Sequence, residues 1–102
     1  MRYEIRRDRW KVAIFDENGN QISPDWFDEI YIDGLVKGES NYYIAVKDDQ
    51  YAIFDVDGNR ITPDEVSYVY SDGLVKGECD YYIGCNKNIC AVYYKDGKKV
   101  SD

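Results

Sequence analysis

Hydrophobic and polar positions alternate with a period of two through most of this chain. In residues 41 to 47, NYYIAVK, the residues Tyr42, Ile44 and Val46 fall on one side of an extended segment, with Tyr43 and Ala45 on the other. The first set recurs as Tyr81, Ile83 and Cys85, and near the start as Tyr3, Ile5 and Arg7, so this side is expected to face the core. The second side reads Tyr82 and Gly84 late in the chain but Glu4 and Arg6 at its start, which predicts a face covered late and solvated early. The triplets Asp48-Asp49-Gln50 and Asn86-Lys87-Asn88 break the runs. Asp57-Gly58 and Asp96-Gly97 add the tight-turn signal, and the pattern as a whole predicts antiparallel hairpins.

A shift of 39 residues lays residues 9 to 47 on 48 to 86, with 20 of the 39 positions identical. AIFDENGNQISPD falls on AIFDVDGNRITPD, and the phrase DGLVKGES at 33 to 40 falls on DGLVKGEC at 72 to 79. Self-similarity at a fixed period predicts copies of one supersecondary unit stacked on each other. The expectation is an all-β single domain, residues 1 to 102, of about two and a half antiparallel meander units. The units run approximately 9–47 and 48–86, with a partial unit at 87–102, and residues 1–8 end a preceding partial unit. WFDEIYI and EVSYVYS are expected to return as strands. Thr62 and Glu65 are expected to cap at most one helical turn, and Gly38 and Gly77 to mark bulges or close backbone approach.

These residues resemble the bacterial WG-type (KWG-like) repeat. The matching stretches are VAIFD with NGNQISPDWFDEIYIDGLVKG, and YAIFD with DGNRITPDEVSYVYSDGLVKG. Val12-Ala13 and Tyr51-Ala52 stand where the family has Trp-Gly. The resemblance implies a β-rich repeat used for binding or scaffolding, with no assigned catalytic residue.

Composition narrows the chemistry. The chain has 11 Tyr, 3 Phe and 2 Trp but no His. Without an imidazole, Ser40 or Cys79 has no evident base to activate it as a nucleophile. Adjacent carboxylates such as Asp28 with Glu29, or Asp48 with Asp49, point to opposite strand faces or sit in solvated turns. No catalytic residue and no cofactor is expected. DVDGN and DENGN lack the ligand order of a calcium loop and read as turns, so no metal is expected. Cys79, Cys85 and Cys90 fall on Ser40, Val46 and Tyr51 under the shift. They are therefore expected to be reduced, incidental apolar residues of a cytoplasmic protein. The N-terminus has no apolar stretch of the signal type, and no apolar run has membrane-spanning length.

Charge narrows the partner. The net charge is −7, but residues 1 to 11 carry five Lys/Arg against two Asp/Glu, residues 12 to 86 four against sixteen, and residues 87 to 102 four against two. An acidic middle disfavours direct contact with nucleic acid or an anionic membrane and attracts a basic protein surface. The leading expectation is a non-enzymatic protein-binding module. The alternative is a small acidic inhibitor, anti-CRISPR-like or an immunity protein, that blocks a basic nucleic-acid-binding surface; a carbohydrate-binding module stands third. The expected partner-binding residues are Asp28, Glu29, Asp33, Glu39, Asp64, Glu65, Asp72 and Glu78, with Tyr31, Tyr70 and Trp26. Trp10 and Trp26 do not repeat, which favours them over the repeated tyrosines as contact residues. Open strand edges at the two partial units allow a monomer or an edge-paired homodimer.

Overall fold

The alternating segments form strands that pair with their sequence neighbours. The computed structural model describes residues 2–70 and 73–100. β1 (Tyr3–Asp8) pairs with β2 (Lys11–Asp16). β3 (Glu29–Ile32), β4 (Tyr42–Lys47) and β5 (Gln50–Asp55) form a second sheet, and β6 (Tyr68–Val69), β7 (Tyr81–Asn86) and β8 (Ile89–Tyr94) a third. Every pairing is antiparallel. The protein is nearly all-β. Of the two stretches expected to return as strands, WFDEIYI supplies β3, and EVSYVYS supplies only the two residues of β6.

The three hairpins share one register: Tyr3 faces Asp16, Tyr42 faces Asp55 and Tyr81 faces Tyr94. Each closes on two residues rather than three. In the middle hairpin these are Asp48 and Asp49, both left-handed at φ 53 and 65, the backbone that matches the twist of the flanking strands. The turn that follows each of the first two hairpins is tied by a carboxylate. Asp16 Oδ1 accepts the amides of Asn18 and Asn20 at 2.9 Å, and Asp55 Oδ1 accepts those of Asp57 and Asn59 at 2.9 Å. Thr62 caps no helical turn. Its Oγ1 accepts the Ile53 amide at 3.3 Å, as Ser23 Oγ accepts the Ile14 amide at 3.1 Å.

Alternation then divides the middle sheet between two cores. Ile44 and Ile53 join Val66, Val69, Tyr82 and Tyr93 on one side. Tyr43 and Ala45 join Val12, Ile14, Phe27 and Leu35 on the other. At the ends of the chain the expected core face is not covered. Ile5 is 37% exposed and Arg7 and Tyr81 are exposed, whereas Ile44, Val46 and Cys85 are buried as expected. The middle hairpin contributes to both cores, and among the described residues no further unit covers the outer sides of the first and last hairpins. The opposite face behaves as expected, with Glu4 and Arg6 solvated and Tyr43 and Tyr82 buried.

The repeated phrase winds into one closed turn, helical in its first copy. Residues Gly34–Lys37 form one turn, α1, ended by Gly38 at φ 77. The Glu39 amide reaches back to Gly34 O at 2.8 Å and the Gly38 amide to Leu35 O at 3.2 Å; Glu78 to Gly73 at 2.8 Å and Gly77 to Leu74 at 3.1 Å repeat the arrangement. This is the Schellman closure, which needs a left-handed residue just past the turn. Gly38 is therefore a helix cap, not a bulge, and a Cβ on it would meet nothing within 4 Å. The expected close approach is found at Gly77, and at Gly34 as well. A Cβ on Gly34 would overlap the Val75 carbonyl, and one on Gly77 the Glu39 carbonyl. The two copies of the phrase thus pack backbone on backbone, and the Ser40 hydroxyl donates to Val75 O across the contact.

The cysteines correct the expectation of three reduced thiols. Cys85 and Cys90 face each other across the β7–β8 hairpin, with Cα atoms 4.0 Å apart, and are joined by a disulfide; Cys79 is free and exposed. A two-residue turn brings residues 85 and 90 into register, which comparison with Val46 and Tyr51 alone does not reveal.

Two expectations follow, both read by chemical denaturation. Gly34→Ala, with no left-handed φ to explain a loss, should cost about 2 kcal/mol or more through overlap with Val75. Gly38→Ala should cost only about 1 kcal/mol, for its backbone conformation; equal losses would disprove the close packing. Reducing Cys85–Cys90 should lower stability by about 2 kcal/mol, the value for so short a loop. Thiol titration of the unreduced, denatured chain should find only Cys79.

Candidate functional site

Four tyrosines converge on one surface across two sheets. Tyr31 on β3 meets Tyr51 on β5 edge to face at 5.3 Å. Tyr51 meets Tyr68 on β6 at 4.7 Å, and Tyr68 meets Tyr70 at 6.4 Å. The two ends of this ridge are open, with Tyr31 45% and Tyr70 73% exposed, while Tyr51 and Tyr68 are half-buried supports. Strand alternation turns Tyr31 outward from β3, and the β5–β6 junction, where the Tyr51 amide donates to Ser67 O at 2.8 Å, brings the third sheet's tyrosines alongside. The Tyr31 hydroxyl beside it pushes the Tyr68 phenol above its ordinary value. Such a ridge offers wide, pre-packed aromatic area with hydroxyls at its rim, suited to apolar contact and hydrogen bonding together.

The expected tyrosines were Tyr31 and Tyr70; Tyr51 and Tyr68 were missed. Their counterparts 39 residues away are Val12 and Cys90 for Tyr51, and Glu29 for Tyr68, so the repeat hides them. Among the tyrosines that do recur, Tyr43 and Tyr82 belong to the core at 0% and 1% exposure. Trp26 is half-buried and packs edge-on against Phe15 at 5.8 Å, away from the ridge tyrosines' ring contacts. Trp10, 80% exposed, stands in the β1–β2 turn.

The acidic set divides. Asp28 accepts from Lys11 and from the Asp48 amide, and these bonds hold its carboxyl below the usual range. Asp33 pairs with Lys37 at 3.3 Å, and Asp64 with Arg60 at 3.6 Å. Glu29, Glu39, Glu65 and Glu78 are exposed and make no ion pair among the described residues. Asp72 lies outside the described residues. Glu39 and Glu78 come together on one cleft of about 630 Å³, between the two copies of the repeated phrase, with Ser40, Asn41 and Cys79. Glu29 lies two residues before Tyr31 on β3, next to the ridge. Another open cleft, of about 450 Å³, is lined by Phe27, Ala45, Phe54 and Lys47, whose ammonium is bound to Asp25. Among the described residues no cluster of three or more Cys, Asp or Glu side chains has the arrangement of a metal site, and no helix is long and apolar enough to cross a membrane.

The buried hydroxyls of Tyr43 and Tyr82 make no hydrogen bond among the described residues. Burial pushes both phenols well up, reinforced by Asp55 near Tyr43 and by Tyr93 near Tyr82. A folded-state value raised above that of the unfolded chain means stability that is complete below pH 10 and declines above it, where only the unfolded chain ionises readily. Stability should therefore fall as the pH rises past about 10. The double variant Tyr43→Phe/Tyr82→Phe should keep its neutral-pH stability within about 1 kcal/mol, because no partner is orphaned. Denaturation across pH 8 to 11 should show the wild-type decline flattened in that variant; an unchanged decline would disprove the assignment.

No protein-family model, no curated protein and no solved structure matches this chain.

Proposed function

We propose that the chain is a non-enzymatic protein-binding module whose partner docks on the ridge formed by Tyr31, Tyr51, Tyr68 and Tyr70. The observation that carries this reading is the 73% exposure of Tyr70 at the end of a continuous row of packed rings. Large aromatic side chains left in solvent are costly unless covered, and tyrosine is enriched at the energetic centres of protein interfaces. Tyr51 and Tyr68 hold the outer rings in place, so a partner loses little entropy in ordering them. Glu29 beside the ridge favours a partner with Lys or Arg at its rim. The resemblance to WG-type repeats supports a binding or scaffolding role.

A second reading, the acidic inhibitor, draws support from Glu39 and Glu78 on their shared cleft. It makes the carboxylates, rather than the rings, the working surface against a basic nucleic-acid-binding site.

Capture from lysate at low and high salt, followed by mass spectrometry, supplies the partner on which both readings are measured. Tyr70→Ala and Tyr31→Ala should each weaken binding by about tenfold or more, the loss typical of interface centres. Reversing Glu29, Glu39, Glu65 and Glu78 to Lys should reduce mainly the on-rate and its salt dependence. If the tyrosine variants bind normally and the reversal abolishes binding, the ridge reading is wrong and the inhibitor reading stands.

A further inference from the structure

The first strand of the middle hairpin and that of the last are paired on both edges, while among the described residues the first strand of the first hairpin is paired on only one. β4 lies between β3 and β5, and β7 between β6 and β8, whereas β1 has β2 alone. The edge that is filled in the later hairpins is held by outward-pointing backbone groups. Val46 O accepts the Asp28 amide at 2.8 Å. In the last sheet, Cys85 O accepts the Ser67 amide at 2.9 Å and Ile83 O the Tyr70 amide at 2.8 Å. In the shared hairpin register the corresponding residues of β1 are Arg7, for Val46 and Cys85, and Ile5, for Ile44 and Ile83. Their amides and carbonyls point away from β2, toward an edge that none of the described residues occupies.

The edge has a sign. Arg2, Arg7 and Arg9 are exposed and make no ion pair among the described residues. Arg6 is engaged by Glu4 at 2.8 Å, with its guanidinium over Phe15 at 4.5 Å. Where the middle sheet sets Glu29 against Val46, β1 offers Arg7. The strand that fills the middle edge belongs to residues 25 to 33, DWFDEIYID, which contain four carboxylates.

We propose that the outer edge of β1 binds an extended, acidic segment of a partner protein by strand addition. Backbone groups supply the pairing and the arginines select the charge. A second copy of this chain fits poorly, because pairing β1 with β1 sets arginine against arginine. Charged side chains also serve simply to keep an edge unpaired, and the experiment separates that role from this one. The site is distinct from the tyrosine ridge and does not depend on it.

The probe is the synthetic peptide DWFDEIYID, titrated into the intact chain while backbone amide shifts and exchange rates are followed. Saturable shifts and slowed exchange should concentrate on Tyr3, Ile5 and Arg7. N-methylation of the peptide's fourth residue, which removes the amide that Asp28 gives to Val46, should abolish them. Arg2→Glu/Arg7→Glu, at exposed positions where folding is checked by circular dichroism, should weaken binding by roughly tenfold or more, with a matching loss at high salt. Absence of saturable shifts would leave the arginines as edge guards and overturn the proposal. Equal binding of a peptide with its four carboxylates replaced by Lys, shifts centred on Tyr31 and Tyr70, or self-association of the chain through β1 would each overturn it as well.

Discussion

The contact between the two copies of DGLVKGE governs the rest of the molecule. Gly34 lies against the Val75 carbonyl and Gly77 against the Glu39 carbonyl, so two backbones meet at a distance that no side chain permits. Ser40 ties the same seam through its hydrogen bond to Val75 O. Because each phrase immediately precedes a hairpin, fixing one phrase on the other fixes β4 relative to β7. That relation sets Ile44 and Ile53 under Tyr82 and Tyr93 and closes one of the two cores. Leu35, from the first phrase, belongs to the other core, so the seam is anchored on both sides.

A middle sheet buried on both faces makes the two ends unequal. The first hairpin turns Glu4 and Arg6 outward and is finished in charge, with Arg6 held between Glu4 and the Phe15 ring. The last hairpin leaves Tyr81 44% exposed at its edge and carries the Cys85–Cys90 bridge between its strands. A cross-link between directly opposed strands restrains the last of the described hairpins.

The candidate site was legible only where single residues repeat. Tyr31 and Tyr70 stand out because they recur 39 residues apart. Tyr51 and Tyr68 do not recur, and they join the ridge only because β5 and β6 meet at the Tyr51–Ser67 hydrogen bond. The acidic residues were legible as a composition and not as a surface. Sequence has no means of showing that Lys11 reaches Asp28 across 17 positions, whereas Glu39 and Glu78 share one cleft and make no ion pair among the described residues.

By itself the sequence determined the hairpin strands and the places where turns separate them. These depend on interactions within a few residues: period-two alternation, left-handed turn positions, and an aspartate bonding its own turn. It also determined that equal phrases close alike, since Gly38 and Gly77 end their turns with matching hydrogen bonds and a left-handed φ. The tertiary structure decided which face of each hairpin is buried, because burial depends on whether a neighbouring unit lies above it, and Ile5 and Ile44 differ in nothing else that alternation registers. It also decided the pairing of Cys85 with Cys90, which follows from a turn one residue shorter than the polar break suggests. The ridge belongs to the same class, since its rings come from two sheets whose relative position is set by backbone contact at two glycines.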